Sequence, residues 1–187
     1  METNINRQKG AATIAKASHT LTRWLYAALL PLLLSEGAFA QAPSTPDSLL
    51  HKEAPQFVRT DFQNQKLDLH ALRGKVVLLD FWATWCASCL LEMPRFVAWQ
   101  NKYGPRGLQI IGISMDDDPA LARKVFIKMK LNYPVAMGDE KLGLLYGGIF
   151  GLPKTYLIDS EGKIQAEFQG ETELNGIEEK FKALLHP

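Results

Sequence analysis

The sequence predicts an α/β fold in which helices flank a mixed central β-sheet. Two nearly continuous apolar runs, at residues 75–82 and 108–115, have the composition of strands that are covered on both faces. A predicted helix follows each run. Near the C-terminus, the turn-forming tetrapeptide at residues 159–162 joins two further strands, which indicates an antiparallel hairpin. Strands that alternate with helices and end in a hairpin predict a mixed sheet covered by helices.

The first half of the predicted domain contains a hairpin, the first buried strand and a long helix. Weak strands at residues 57–60 and 66–69 flank a polar turn and form an N-terminal β-hairpin. The helix covers residues 87–103, where apolar residues recur at helical spacing. Pro94 lies inside this helix and is expected to bend it, because proline removes a helix hydrogen bond.

Shorter elements fill the second half of the chain. Pro119 suits the first turn of a helix. An amphipathic helix closes the chain, because its apolar residues fall on one face. The elements predicted after the second buried strand are a helix at 119–129, a strand at 134–137, a helix at 141–146, strands at 154–159 and 163–169, and a helix at 173–185.

The N-terminus has the order of a secretory signal. Basic side chains precede an apolar run at residues 24–34, and Ala38-Phe39-Ala40 follows it, so we expect cleavage after Ala40. The run holds 11 residues, whereas a membrane-spanning helix needs about 20, so an uncleaved membrane anchor is the weaker alternative. Residues 41–55 are mostly polar and contain three prolines. They predict a flexible linker before a domain at residues 56–187, with ordered structure from near Phe57.

The net charge of the chain and its predicted export exclude some classes of function. The formal net charge of the whole chain is +1. Residues 1–40 carry four basic and two acidic side chains, so the charge of the rest is −1. Nothing in this balance favours binding to nucleic acid or to an anionic membrane surface. A secretory signal predicts a periplasmic or otherwise exported protein in an oxidising compartment. We also expect the protein to be a monomer and to bind no cofactor.

The two cysteines of the chain, Cys86 and Cys89, are three positions apart. A disulfide that closes so short a loop adds little stability, so the pair is predicted to be redox-active rather than structural. Cys86 would lie at the N-terminus of the predicted helix, where unpaired N–H groups and the helix dipole lower a thiol pKa. We therefore assign Cys86 as the attacking nucleophile and Cys89 as the resolving thiol.

Two metal-binding interpretations of the pair find little support in the sequence. A zinc site needs about four ligands, and none of the four histidines is close to the cysteines in sequence. Covalent haem attachment needs a histidine directly after the second cysteine, where Leu90 stands. No metal is expected at the pair.

The run VVLLDFWATWCASCLLEMP resembles the active-site segment of the thioredoxin superfamily, and its ATWC and EMP flanks resemble those of the exported TlpA/ResA branch. A second signature, GLPKTYLID at residues 151–159, stands at the matching place. The resemblance covers the chain from about residue 54 and implies a thioredoxin-like fold. It also implies that the segment within residues 116–150 is a central insertion, although a helix and a strand that only extend the sheet would explain it equally well.

The resemblance assigns roles to residues around the pair. Pro153 matches a cis-proline that lies against the cysteines and exposes the backbone of Leu152 to a substrate strand. Asp80 matches a buried carboxyl with a raised pKa that accepts the proton of Cys89. Glu92 matches an acid near the pair and is the alternative proton acceptor, unless it is a solvated helix residue.

Two further residues beside the cysteines bear on substrates and redox potential. Trp85 would present an apolar surface for docking a partner, whereas Trp82 is expected to pack in the core. Ser88 departs from the family, which commonly has proline before the second cysteine. This departure weakens the expectation of a strongly reducing enzyme.

The predicted function is an exported thiol-disulfide oxidoreductase that reduces disulfides in partner proteins. The resemblance implies apocytochromes c or copper-site proteins as substrates, and a membrane thiol donor as the source of electrons. A peroxiredoxin-like thiol peroxidase is one alternative, but that branch has threonine three residues before its cysteine, where Ala83 stands. A second alternative is a copper-carrying module, in which Met115 and Met137 are candidate ligands in addition to the two cysteines.

Overall fold

The structure is a computed structural model, and it describes residues 48–170 and 174–185. The predicted signal at residues 1–40 lies outside the described residues. Each predicted strand and helix agrees with an observed one to within one residue at either end. The elements are β1 (Val58–Thr60), β2 (Lys66–Asp68), β3 (Val76–Trp82), α1 (Ala87–Tyr103), β4 (Leu108–Ser114), α2 (Pro119–Lys128), β5 (Val135–Met137), α3 (Glu140–Leu145), β6 (Lys154–Ile158), β7 (Ile164–Gln169) and α4 (Leu174–Leu184).

The central sheet has five strands in the order β5-β4-β3-β6-β7. The pairs β3–β4 and β4–β5 are parallel, whereas β3–β6 and β6–β7 are antiparallel. β1 and β2 form a separate antiparallel pair. The predicted mixed sheet and N-terminal hairpin are therefore confirmed. All seven residues of β3 are buried, which explains why this strand reads as an apolar run.

The sheet separates two apolar clusters, because successive side chains of a strand point to opposite faces. Leu78 and Trp82 of β3 belong to the cluster that also contains both cysteines and residues of α1 and α4. Leu79 and Phe81 belong to the cluster on the other face. The cysteine pair thus packs on one face of the sheet, the face that α1 covers.

Ordered structure begins before Phe57, the position that the sequence predicts. The amide of His51 donates to the carbonyl of Ile164 at 2.7 Å, and the amide of Ala54 donates to the carbonyl of Gly162 at 2.9 Å. Ala54 is 1% exposed. Residues 51–54 therefore pair with the hairpin of β6 and β7, although the sequence predicts a flexible linker there. Backbone pairing of this kind does not depend on side-chain type, so a polar, proline-containing stretch gives no sign of it.

The segment between β4 and β6 extends the sheet. β5 pairs with β4 at the edge, and the amide of Phe62, beyond β1, donates to the carbonyl of Val135 at 2.8 Å. The N-terminal hairpin thus lies beside this edge strand. No helix among the described residues has the length and apolar character needed to cross a bilayer.

Candidate active site

Cys86 and Cys89 form a disulfide at the start of α1, with a Cα–Cα distance of 5.3 Å. Cys86 is the N-cap residue, and its Sγ accepts a hydrogen bond from the amide of Cys89 at 3.2 Å. The exposed fraction is 6% for Cys86 and 1% for Cys89. Cys86 is therefore the more exposed residue of the pair, in the order that the sequence predicts.

The start of α1 is the end of the helix that stabilises a negative charge. The first-turn N–H groups lack intrahelical acceptors, and the helix dipole places positive potential at this end. Both effects lower the pKa of a thiol at an N-cap. The hydroxyl of Ser88 lies 3.5 Å from Cys86 Sγ, so the residue that replaces the usual proline puts a polar group beside the sulfur.

The two tryptophans near the pair lie in different environments. Trp85 is 71% exposed and directly precedes Cys86, so its ring is available to a partner at the site. Trp82 is 1% exposed and packs in the cluster that contains the cysteines. The prediction that Trp82 is a core residue is confirmed.

The Leu152–Pro153 peptide bond is cis, as the resemblance implies. β6 begins at the next residue, and in the antiparallel register of β3 and β6, Phe81 lies opposite Lys154. Pro153 therefore lies at the end of the sheet where β3 leads into the cysteine loop. Pro153 is buried, and Leu152 is partly buried and packs against both apolar clusters.

Asp80 lies in the middle of the sheet and is 2% exposed. It alternates with Leu79 and Phe81, so its carboxyl points to the face that carries the cysteines. Burial raises the pKa of Asp80 to about 7, and a hydrogen bond from the Thr155 hydroxyl to Asp80 Oδ1, at 3.0 Å, acts in the opposite direction. The predicted burial and raised pKa are both confirmed.

Glu92 is 6% exposed and lies on the buried side of α1. The interpretation of Glu92 as a solvated helix residue is therefore wrong. An acidic residue on a helix is ordinarily solvated. Along this turn polarity does not follow burial, since the neighbouring Leu91 is apolar and yet 77% exposed.

Sequence reasoning missed two residues of the site. Thr155 contacts Asp80 because β3 and β6 place the two residues opposite each other, 75 positions apart in the chain. Asp116 is 7% exposed and binds Thr84, two residues before Cys86. The run of three acids at residues 116–118 is a weak signal for it, since only the first of them is buried.

The chemistry that this arrangement supports is thiol–disulfide exchange. Cysteines at i and i+3 supply one sulfur to attack a disulfide and a second to resolve the mixed disulfide. A carboxyl with a pKa near neutrality is suited to proton transfer at neutral pH. The fold and the site together define a thiol-disulfide oxidoreductase of the thioredoxin type.

Comparison with known proteins agrees with this class. Residues 50–167 match the AhpC/TSA family. The thiol-disulfide oxidoreductase ResA of Bacillus thuringiensis subsp. konkukian is 38% identical over 134 residues, which cover 71% of this chain and 77% of that protein. The thiol:disulfide interchange protein DsbE of Pseudomonas fluorescens biotype C is 33% identical over 159 residues, which cover 80% of this chain and 86% of that protein.

A solved structure shows the same fold. The thiol:disulfide interchange protein of the thioredoxin family from Chlorobium tepidum TLS superposes with a TM-score of 0.67 at 26% identity, covering 72% of this chain and 96% of that chain. The chain belongs to the AhpC/TSA family and, within it, to the ResA-like thiol-disulfide oxidoreductases. The predicted thioredoxin-like fold, ResA-like resemblance and enzyme class are confirmed.

Proposed function

We propose that this oxidoreductase is exported and reduces disulfides in partner proteins, with Cys86 as the attacking sulfur and Cys89 as the resolving one. The observation that carries the assignment is the position of Cys86, which caps α1 and is the more exposed of the two cysteine residues. Cys89 lies in the first turn and is almost fully buried. A buried thiol is poorly placed to meet a foreign disulfide but well placed to attack its neighbour.

The exchange proceeds in two balanced steps. The Cys86 thiolate attacks one sulfur of the partner disulfide, which breaks that bond, forms a mixed disulfide and releases the other partner sulfur as a thiolate. Cys89 then loses its proton and attacks the sulfur of Cys86, which forms the intramolecular disulfide and releases the second partner thiolate. Two electrons pass from the enzyme to the partner, so an external dithiol must reduce the enzyme before the next cycle.

Asp80 is the proposed acceptor of the Cys89 proton. Its carboxyl faces the side of the sheet that carries the pair, and its pKa of about 7 leaves a large ionised fraction at neutral pH. Glu92, also buried and on the same helix as Cys89, is the alternative acceptor.

The proposed substrate-binding residues are Trp85, Leu152 and Pro153. The exposed ring of Trp85 offers an apolar surface directly beside Cys86. Leu152 and Pro153 precede β6 at the same end of the sheet, where the backbone of Leu152 would pair with an extended segment of the partner. This arrangement suits a polypeptide substrate.

The proposals on export and on partners rest on the sequence and on its resemblance to the exported TlpA/ResA branch. Residues 1–40 have the order of a cleaved secretory signal, and an uncleaved anchor is the alternative. The proposed partners are apocytochromes c or copper-site proteins, with a membrane thiol donor as reductant and a monomeric enzyme. Cell fractionation and N-terminal sequencing of the mature protein test this proposal. Cleavage after Ala40 would leave Gln41 as the new N-terminus.

A trapping experiment tests the cysteine roles and names the partner. Cys89→Ser is expected to accumulate a mixed disulfide through Cys86, because the first attack still occurs and resolution does not. Cys86→Ser is the matched control, since it retains one cysteine and is expected to trap nothing. The complexes are separated on a non-reducing gel and identified by mass spectrometry. Equal trapping by the two variants would overturn the assigned roles.

A further inference from the structure

The carboxylate of Asp116 holds the loop that leads into Cys86. The amide of Thr84 donates to Asp116 Oδ1 at 3.1 Å and to Oδ2 at 3.0 Å, and the Thr84 hydroxyl donates to Oδ1 at 2.6 Å. The two residues are 32 positions apart, and Thr84 stands two residues before Cys86. A single buried carboxylate therefore binds both the backbone and the side chain of the cysteine loop.

The same carboxylate is connected to the end of β4. The Ser114 hydroxyl donates to Asp116 Oδ2 at 2.9 Å, and Ser114 is fully buried as the last residue of that strand. The amide of Met115 donates to the carbonyl of Trp82 at 2.8 Å. The residues just after β4 thus make two contacts on the path into α1, one through the backbone of Met115 at Trp82, the last residue of β3, and one through Asp116 at Thr84.

These contacts fix most of the path from β3 to α1. Only residues 83–86 separate the last residue of β3 from the first residue of α1. Within that span the amide of Cys86 donates to the carbonyl of Ala83 at 3.1 Å, which closes a turn around Thr84. With Thr84 held by Asp116, the turn and the sulfur that follows it have a defined position relative to the sheet.

A buried carboxylate costs free energy unless donors surround it, so its presence at this position needs a reason. An apolar residue would fill the same space without that cost. No apolar residue, however, could accept hydrogen bonds from both the amide and the hydroxyl of Thr84.

We propose that Asp116 and Thr84 form a positioning pair that holds Cys86 at the start of α1 in the orientation required for attack on a partner disulfide. The inference rests on the proposed attack by Cys86. Loss of the pair lets the loop shift, and a small shift of a reacting atom slows a reaction far more than it changes binding.

The test compares two substitutions that each remove one hydroxyl donor from Asp116. Thr84→Val removes the donor on the cysteine loop, and Ser114→Ala removes the donor on the sheet. We expect Thr84→Val to lower the rate constant for reduction of a small disulfide, oxidised glutathione, by about tenfold. Ser114→Ala should lower it by no more than about twofold, and Thr84→Ser should restore the wild-type rate.

The pH dependence of Cys86 alkylation in the reduced full chain is the second readout, because a purely structural defect would not move it. Thr84→Val is expected to shift the midpoint of that profile, and Ser114→Ala is expected to leave it in place. The proposal would be overturned if Thr84→Val and Ser114→Ala had equal effects on the rate constant and on the alkylation midpoint. Asp116 would then contribute only to the stability of the fold.

Two further variants keep the test decisive. If Thr84→Val does not fold, Asp116→Asn takes its place, because asparagine keeps one acceptor oxygen for Thr84 and loses the other. A several-fold slower exchange is expected, and an unchanged rate would contradict the proposal. Cys86→Ser is measured in parallel, and exchange that survives in it counts against the proposed role of Cys86 rather than against the pair.

Discussion

Asp80 and Glu178 are two carboxylic acids of the same domain whose pKa values move in opposite directions. Asp80 is almost fully buried and receives a hydrogen bond from the Thr155 hydroxyl, and burial raises its pKa to about 7. Glu178, on α4, accepts hydrogen bonds from the Tyr103 hydroxyl at 2.6 Å and from the Arg95 guanidinium at 2.7 Å. These bonds, that of Tyr103 foremost, lower the pKa of Glu178 to about 2.

The difference follows from the donors that each carboxyl meets. Glu178 finds a phenol and a cation on α1, so it stays ionised at physiological pH and ties α4 to α1. Asp80 meets mainly apolar surroundings, so its charged and neutral forms are close in free energy at neutral pH. One acid is arranged to keep its charge, and the other to exchange a proton.

The largest expected effect is on the pH dependence of stability. The unfolded chain ionises Asp80 near the ordinary pKa of 3.8, and the folded protein ionises it near 7. The folded state therefore loses stability as the pH rises from 3.8 to about 7 and loses no more above it. Asp80→Asn cannot ionise, so above pH 7 it should be the more stable protein, by roughly 4 kcal/mol at most.

Urea unfolding of the oxidised proteins across this pH range measures the difference. The gain of Asp80→Asn over wild type should shrink towards acid pH and level off above neutrality. A gain that is independent of pH would mean that the carboxyl is not desolvated in the folded state.

The second effect is on the resolving step. Asp80→Asn is expected to slow decay of a preformed mixed disulfide by about a hundredfold, the usual scale for loss of a general base. In the wild type the rate should rise with pH through an inflection near the Asp80 pKa of about 7, and the variant should lack that inflection. Glu178→Gln is the matched acid-to-amide control and should resolve at the wild-type rate.

Glu92→Gln decides between the two proposed acceptors. If Glu92 takes the proton of Cys89, this variant will slow decay of the mixed disulfide and Asp80→Asn will not. Stopped-flow measurement of thiolate absorbance gives both profiles.

The smallest effect is on the contact between helices. Glu178→Gln should lower the free energy of unfolding by about 1 kcal/mol at neutral pH, because a charged acceptor becomes a neutral one. The pKa of Glu178 is lowered in the fold, so its contribution is present above the ordinary value of 4.5 and is lost as the pH falls towards 2. The variant and the wild type should therefore converge at acid pH, and a difference that persists there would contradict this explanation.

Local patterns made much of the molecule predictable from its sequence. The strand β3 is an apolar run and α1 starts at a cysteine pair, so their bounds follow from neighbouring residues. The cis bond at Pro153 needed the resemblance to a family, because a proline before a strand is ordinarily trans.

Long-range contacts could not be predicted. The hydrogen bonds of Asp116 to Thr84 depend on how the end of β4 meets the cysteine loop, which no spacing in the sequence records. The hydrogen bonds that join His51 and Ala54 to the C-terminal hairpin are between backbone groups, which the pattern of side chains does not record. Glu92 is buried because it lies on the side of α1 that packs against the rest of the domain, and the sequence does not record which side that is.

The most direct measurement of the central claim is the rate of alkylation of each single-cysteine variant as a function of pH. In Cys89→Ser the remaining thiol, Cys86, should react with a midpoint below the free-cysteine pKa of about 8.5, because it caps α1. In Cys86→Ser the buried Cys89 should react more slowly at every pH. A midpoint for Cys86 at or above about 8.5, or faster alkylation of Cys89, would contradict the assignment of Cys86 as the attacking sulfur.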